Sequence, residues 1–155
     1  MLSGLWLAWK RCMMLLELVE PTVDLVPNAT AAATIRTMLD RKIDVGVVLE
    51  QKHPRGIVTE KELVERLAAL PESDAALLSV TEVMRPVETA PLSIEPVEAA
   101  RLMRERRAHH LALTEDDGSF RGVVGLRRIL MEVMDEQELK LDNLERELMA
   151  DGPGG

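Results

Sequence analysis

The order of apolar and polar positions outlines two copies of one unit. "AAATIRTMLDRKID" (Ala31 to Asp44) sets Ile35, Met38 and Leu39 at helical spacing, so it predicts a helix with one apolar face. It runs into "VGVVLE" (Val45 to Glu50), a short apolar run that reads as a buried strand. "EQKHPRG" follows as a hairpin-like turn, with Pro54 and the charged residues supplying the turn chemistry. "GIVTEKELVERL" (Gly56 to Leu67) then opens as strand and continues as helix. Thr59 sits at that junction and Glu62 three residues later, the spacing of a capping box.

The same order returns downstream. "PVEAARLMRERRAHH" (Pro96 to His110) predicts a helix with Ala99, Leu102 and Met103 on its apolar face, and "LALTED" predicts the strand after it. The turn "EDDGSFRG", with Gly118, is one residue longer, and "GVVGLRRILMEV" (Gly122 to Val133) closes the copy. Gly56 and Gly122 stand 66 positions apart. Each copy therefore reads strand, helix, strand, turn, strand, helix, an α/β (α+β) unit. Neither is large enough to bury its apolar faces well alone, so the two are expected to share a core.

The predicted organisation is an amphipathic helix over 1–18, a first repeat over 19–70, a connector over 71–79 and a second repeat over 80–134. A helical extension follows over 135–150, with a disordered tail over 151–155. In the first helix Leu5, Trp9, Cys12 or Met13, and Leu16 form a stripe suited to packing on the core or on a second subunit; membrane-surface docking is the lesser alternative. Lys10 and Arg11 interrupt its apolar run, which is too short to span a bilayer. No basic stretch precedes it and no small-residue cleavage site follows, so it does not read as a signal peptide. In the last helix Leu130, Met134, Gln137, Leu141, Leu144 and Leu148 follow the spacing of a coiled-coil seam, which fits pairing in a homodimer or packing back on the repeats.

Composition narrows the function classes. A net charge of −8 over 155 residues, without a basic block, argues against tracking a nucleic-acid backbone. The single cysteine, Cys12, excludes an internal disulfide and a cysteine-rich metal cage, and a reducing cytoplasm is the plain expectation. No Ser/His/Asp order, metal-ligand spacing or Gly-rich phosphate loop is present, so no enzyme is expected.

"GIVTEKEL" resembles the G-[IV]-[VL]-T-x-x-D-[IL] signature that closes a cystathionine-beta-synthase (CBS) domain, and "VTEVMRP" (Val80 to Pro86) resembles the start of the second repeat in a tandem CBS pair, or Bateman module. The resemblance covers roughly Val19 to Val133. It implies β-α-β-β-α repeats packed through their sheets, with clefts that commonly bind adenosine nucleotides (AMP, ADP or ATP) or S-adenosylmethionine as regulatory ligands. Such modules sense a ligand and change shape, and they carry no catalytic chemistry of their own.

The resemblance makes Ile57, Val58, Thr59 and Glu62 candidate ligand-binding residues, with Glu62 standing where an Asp grips the ribose hydroxyls. In the second copy Gly125 removes the hydroxyl and Arg128 replaces the carboxylate. A similar Arg stands in one degenerate repeat of the gamma subunits of AMP-activated protein kinase. There a His-Arg pair and a Lys reach the phosphate bound at the other repeat, and here His109, His110 and Arg127 occupy those places. Asp44 aligns with His109, which puts an acid in the reciprocal cleft and fits one usable site. The resulting expectation is a homodimeric regulatory module with one adenosine-ligand site per chain and room for a protein partner. The alternative is a ligand-free scaffold that acts through its terminal helices.

Overall fold

A computed structural model describes residues 2–150. The helix α1 (Leu2–Glu17) precedes the first repeat, β1 (Val23–Leu25), α2 (Ala31–Arg41), β2 (Val45–Glu50), β3 (His53–Thr59) and α3 (Glu60–Ala68). A connector with the short helix α4 (Glu72–Ala75) and a single 3₁₀ turn leads to the second repeat, β4 (Glu88–Pro91), α5 (Pro96–Arg106), β5 (His110–Thr114), β6 (Phe120–Gly125) and α6 (Leu126–Ala150). The tail at 151–155 lies outside the described residues.

Each repeat forms a three-stranded sheet, ordered β1-β2-β3 and β4-β5-β6. The first pair in each is parallel, joined through a helix, and the second is an antiparallel hairpin. The helices α2 and α5 start by different devices and stop by the same one. Thr30 accepts a hydrogen bond from the Ala33 amide at the start of α2, whereas Pro96 opens α5. Both end on a residue in the left-handed region, Lys42 and Arg107. Ile35 is partly buried and Met38 fully, but Leu39, on the predicted apolar stripe, is exposed; Ala31 and Thr34 take the core positions instead.

The first turn differs from expectation. Gln51 and Lys52 form it alone, both with positive φ, as a two-residue hairpin of the primed type requires. Pro54 lies within β3 opposite Leu49, at a register shift where the ladder is already irregular. In the second copy Gly118, at φ 83°, supplies the left-handed residue.

Three apolar clusters hold the fold. One lies between the first sheet and its helices, around Met38, Val48, Val58 and Leu63, and takes in Leu78 and Val80 of the connector. A second lies beneath α5 and α6, around Met103, Leu111, Leu113 and Ile129. The third joins the sheets, with Val45, Val47 and Ile57 of the first repeat against Val123 of the second.

The hairpins of the two repeats meet through the Phe120 amide, which donates to the Lys52 carbonyl at 2.8 Å, and the two lead-in segments add a crossing each. Ahead of β4, the Arg85 amide donates to the Ile57 carbonyl at 3.0 Å, and the Ile57 amide donates back at 2.9 Å. Ahead of β1, the Glu20 amide donates to the Val123 carbonyl at 2.8 Å. The lead-in to each repeat thus lies along the other repeat's hairpin. This close approach explains Gly122: a Cβ there would meet Val19 Cγ1 at 2.5 Å.

The terminal helices narrow the alternatives the sequence left open. Leu15 of α1 is fully buried in the second repeat's core, whereas Leu5 and Trp9 of the expected stripe are 74% and 64% exposed. The side chains of Cys12 and Met13 lie outside the described residues. The seam of α6 does not pack back on the repeats: Met134, Leu141, Leu144 and Leu148 are all exposed.

Candidate ligand clefts

The first cleft begins at the β3–α3 junction, where the strand's last residue caps the helix. Thr59 Oγ1 accepts from the Glu62 amide at 3.3 Å, and Glu62 Oε2 accepts from the Thr59 amide at 3.0 Å. The Thr59 hydroxyl also donates to that oxygen, at 2.9 Å. The other carboxylate oxygen, Oε1, pairs with the guanidinium of Arg85. Burial alone would raise the Glu62 pKa. The Thr59 amide and hydroxyl together with the Arg85 guanidinium outweigh it and hold the carboxyl below its ordinary value. A carboxylate kept ionised here can accept from hydroxyls, and Arg85 can meet an anion.

Beside this junction lies an open depression of about 410 Å³, lined by Asp44, Thr59, Glu60, Lys61, Val64 and Glu65. Three acids face one base. The second repeat has the corresponding depression, of about 490 Å³, where Gly125, Leu126, Arg127, Leu130 and Met131 stand in place of the first-repeat residues. His109, His110 and Glu20 also line it. The Glu20 carboxylate lies over Gly125, with Oε1 2.5 Å from where a Cβ would stand. Glu20 thus places a carboxylate where the first cleft has a threonine.

The predicted site residues fall into two groups. Thr59 and Glu62 are bonded to each other, and His109, His110 and Arg127 line the second depression together; the first depression includes Thr59 and none of those three. His110 connects them electrostatically. It pairs with Gly125 in register as Val45 pairs with Thr59, so it takes the place of a residue in the layer between the sheets. Burial pushes its pKa below the ordinary histidine value. The charges of Arg85 and His109 act in the same direction, while Glu20 and Asp44 oppose it. The Ile57 and Val58 side chains belong to the core, and the Ile57 amide and carbonyl are both bonded to Arg85. Among the described residues no cluster of three or more His, Cys, Asp or Glu is arranged to hold a metal ion.

Sequence reasoning overlooked Arg85 and Glu20 as cleft residues. A signal for them existed: where Glu62 becomes Arg128 between copies, the lead-in residue changes from Arg85 to Glu20, an exchange of both signs.

The CBS domain profile matches residues 20–69 and 80–135, the two segments that carry these sheets and clefts. The chain belongs to the CBS-domain family. It carries the domain twice, as a CBS pair. An uncharacterised protein of Methanopyrus kandleri is 29% identical over 105 residues, covering 67% of this chain and 54% of its own. The magnesium and cobalt efflux protein CorC of Vibrio cholerae is 26% identical over 125 residues, covering 81% and 42%. The chain thus spans about half the length of these curated relatives. Among solved structures, the CBS domain of a bacterial CNNM/CorC family Mg²⁺ transporter in complex with ATP aligns at a TM-score of 0.67 and 17% identity, covering 82% of this chain and 92% of that one. A CBS domain protein from Pyrobaculum aerophilum complexed with AMP aligns at 0.62 and 21%, covering 77% and 97%. At these identities the likeness establishes the fold, and the CBS pair's own residues must carry any argument about its ligand. Among the described residues no helix is long and apolar enough to cross a membrane.

Proposed function

We propose that this CBS pair is a non-catalytic regulatory module, working in the cytoplasm, whose first cleft binds an adenosine nucleotide. In this reading Thr59 and Glu62 hold the ribose, and Arg85 and His110 face the phosphate side, with His109 and Arg127 beyond them. The observation that carries it is the Thr59–Glu62–Arg85 arrangement, in which an ionised carboxylate, a hydroxyl and a guanidinium share one junction. The structures of similar fold that hold ATP and AMP support the choice of ligand class. Binding between lead-in segment and hairpin would shift one repeat against the other, which is how a module without catalytic groups can signal.

A thermal-shift panel with AMP, ADP, ATP and S-adenosylmethionine, with and without magnesium, tests this reading. A ligand at 100 times its dissociation constant should add about 2.7 kcal/mol. A flat panel would overturn the nucleotide reading.

A second reading has its own observation. The seam of α6 and the Leu5 and Trp9 face of α1 are exposed and apolar, as in a chain that dimerises through its terminal helices without a ligand. Sedimentation of the intact chain and of a chain ending after Asp135 separates the two. If the flat panel coincides with a dimer lost on truncation, the scaffold reading replaces the sensor reading.

A further inference from the structure

The two lead-in segments send opposite charges into the two clefts. Arg85 reaches the ribose-side carboxylate of the first, and Glu20 fills the space beside Gly125 in the second. We propose that Arg85 is a specificity-determining residue: it occupies Glu62 Oε1 against uncharged nucleosides and yields it to a ligand that brings an anion for the guanidinium. The first cleft then selects AMP over adenosine. This inference rests on the nucleotide reading of the same cleft and adds the means of discrimination.

The geometry makes Oε1 the contested atom. Glu62 Oε2 is held by the Thr59 amide and hydroxyl, so it cannot turn to a ribose without undoing the cap of α3. Oε1 is held by Arg85 alone among the bonds the structure gives this carboxylate. A nucleoside hydroxyl that takes the Oε1 lone pair facing Arg85 displaces the guanidinium from a half-buried carboxylate. A nucleotide returns a charge-assisted partner to it.

Arg85 is built to make that exchange. Its backbone is fixed by two hydrogen bonds to Ile57, while its side chain is about half exposed. The side chain can therefore swing while its root stays at the junction. Its charge already reaches His110, on the side where the phosphate would lie. The adjoining depression offers a phosphate little else, since Asp44, Glu60 and Glu65 outnumber Lys61. The second depression sets Glu20 beside His109, His110 and Arg127 around Gly125 and has no counterpart of the Thr59 hydroxyl, so the exchange at Glu62 belongs to the first cleft.

Isothermal titration of adenosine and of AMP into the wild-type chain, Arg85→Met and Arg85→Lys tests the proposal. Met keeps the apolar stem and deletes the charge; Lys returns a charge without the fork. The wild type should favour AMP by on the order of tenfold or more. Arg85→Met should lose most of that preference, with weaker AMP binding and adenosine binding up to about fivefold tighter. Arg85→Lys should restore part of it. If Arg85→Met keeps the wild-type ratio, or weakens both ligands equally, Arg85 is structural and the inference fails while the nucleotide reading stands. If neither ligand binds any of the three proteins, both fall together.

Discussion

Thr59→Ala perturbs the cap of α3 at the first cleft in a way that can be measured directly. The substitution deletes the oxygen that accepts from the Glu62 amide at 3.3 Å and the hydroxyl that donates to Glu62 Oε2 at 2.9 Å. It leaves the backbone half of the capping box, residue 59 amide to Oε2, and the Arg85 pair in place. Loss of a threonine cap costs about 1 kcal/mol, within a range of roughly 0.5–2. The lost hydroxyl bond is to a charged acceptor in a half-buried place, which moves the expectation to roughly 1–2 kcal/mol. For a chain of this length that is a fall in Tm of roughly 3–6 °C. Urea denaturation of Thr59→Ala and Thr59→Ser, at constant m-value, gives the free energies directly. Serine keeps the oxygen and should retain stability to within about 0.5 kcal/mol of wild type. A serine variant as unstable as the alanine one would mean that the methyl group's packing, and not the cap, holds the junction. An alanine variant with no loss would refute the capping argument altogether.

Leu15→Ala should cost about 2–5 kcal/mol, because this α1 side chain is fully buried in the second repeat's core. Trp9→Ala, on the exposed face of the same helix, should change the stability of the monomeric fold by less than about 0.5 kcal/mol, so equal effects in denaturation would reject the assigned helix face. The lowered pKa of His110 means that the unfolded chain binds its proton more readily than the folded one. Its contribution to stability is present above the ordinary histidine range and is lost as pH falls through it. Melting of the ligand-free chain from pH 7.5 to 5.5 should therefore show a decline that His110→Gln flattens, and an unchanged slope in that variant would exclude His110 as the source. Glu62 has its own, lower window: its stabilisation is present above the ordinary carboxylate pKa and disappears as pH falls through the depressed value.

Much of this architecture could be read from the chain because it is written twice. A helix-period pattern before an apolar run, then Gly and a β-branched run, is ambiguous once, but its recurrence, with Gly56 and Gly122 standing 66 positions apart, makes it a repeat. The capping box was legible for a local reason, since Thr59 and Glu62 are three residues apart and need no tertiary context. What escaped the sequence depended on the other repeat. Pro54 looked like a turn residue, but the neighbouring Gln51 and Lys52 make the turn and a register shift accommodates the proline. The apolar stripe of α1 through Leu5 and Trp9 suited packing on the core or on a second subunit, and within the chain it is Leu15 that docks the helix on the second repeat. His109, His110 and Arg127 were placed with Thr59 by resemblance, but the chain sets them in the second depression and leaves His110, through Arg85 and Asp44, as the link. Arg85 and Glu20 act across the repeat boundary, where spacing within one copy carries no information.

The changed letters of the second copy also acquire a physical meaning. Gly125 makes room for the Glu20 carboxylate, and Arg128 with Glu20 exchanges the charges of Glu62 with Arg85. The second junction therefore has neither the hydroxyl of Thr59 nor the carboxylate of Glu62.

The most direct test of the account is an NMR titration of the amide-labelled chain with AMP and with ATP, read residue by residue. The account expects saturable shifts centred on Thr59 to Glu62 and on Arg85, with a smaller response at His110 and little at Gly125 to Arg128. Saturable shifts confined to Gly125 to Arg128, or no saturable shift with either nucleotide, would contradict it.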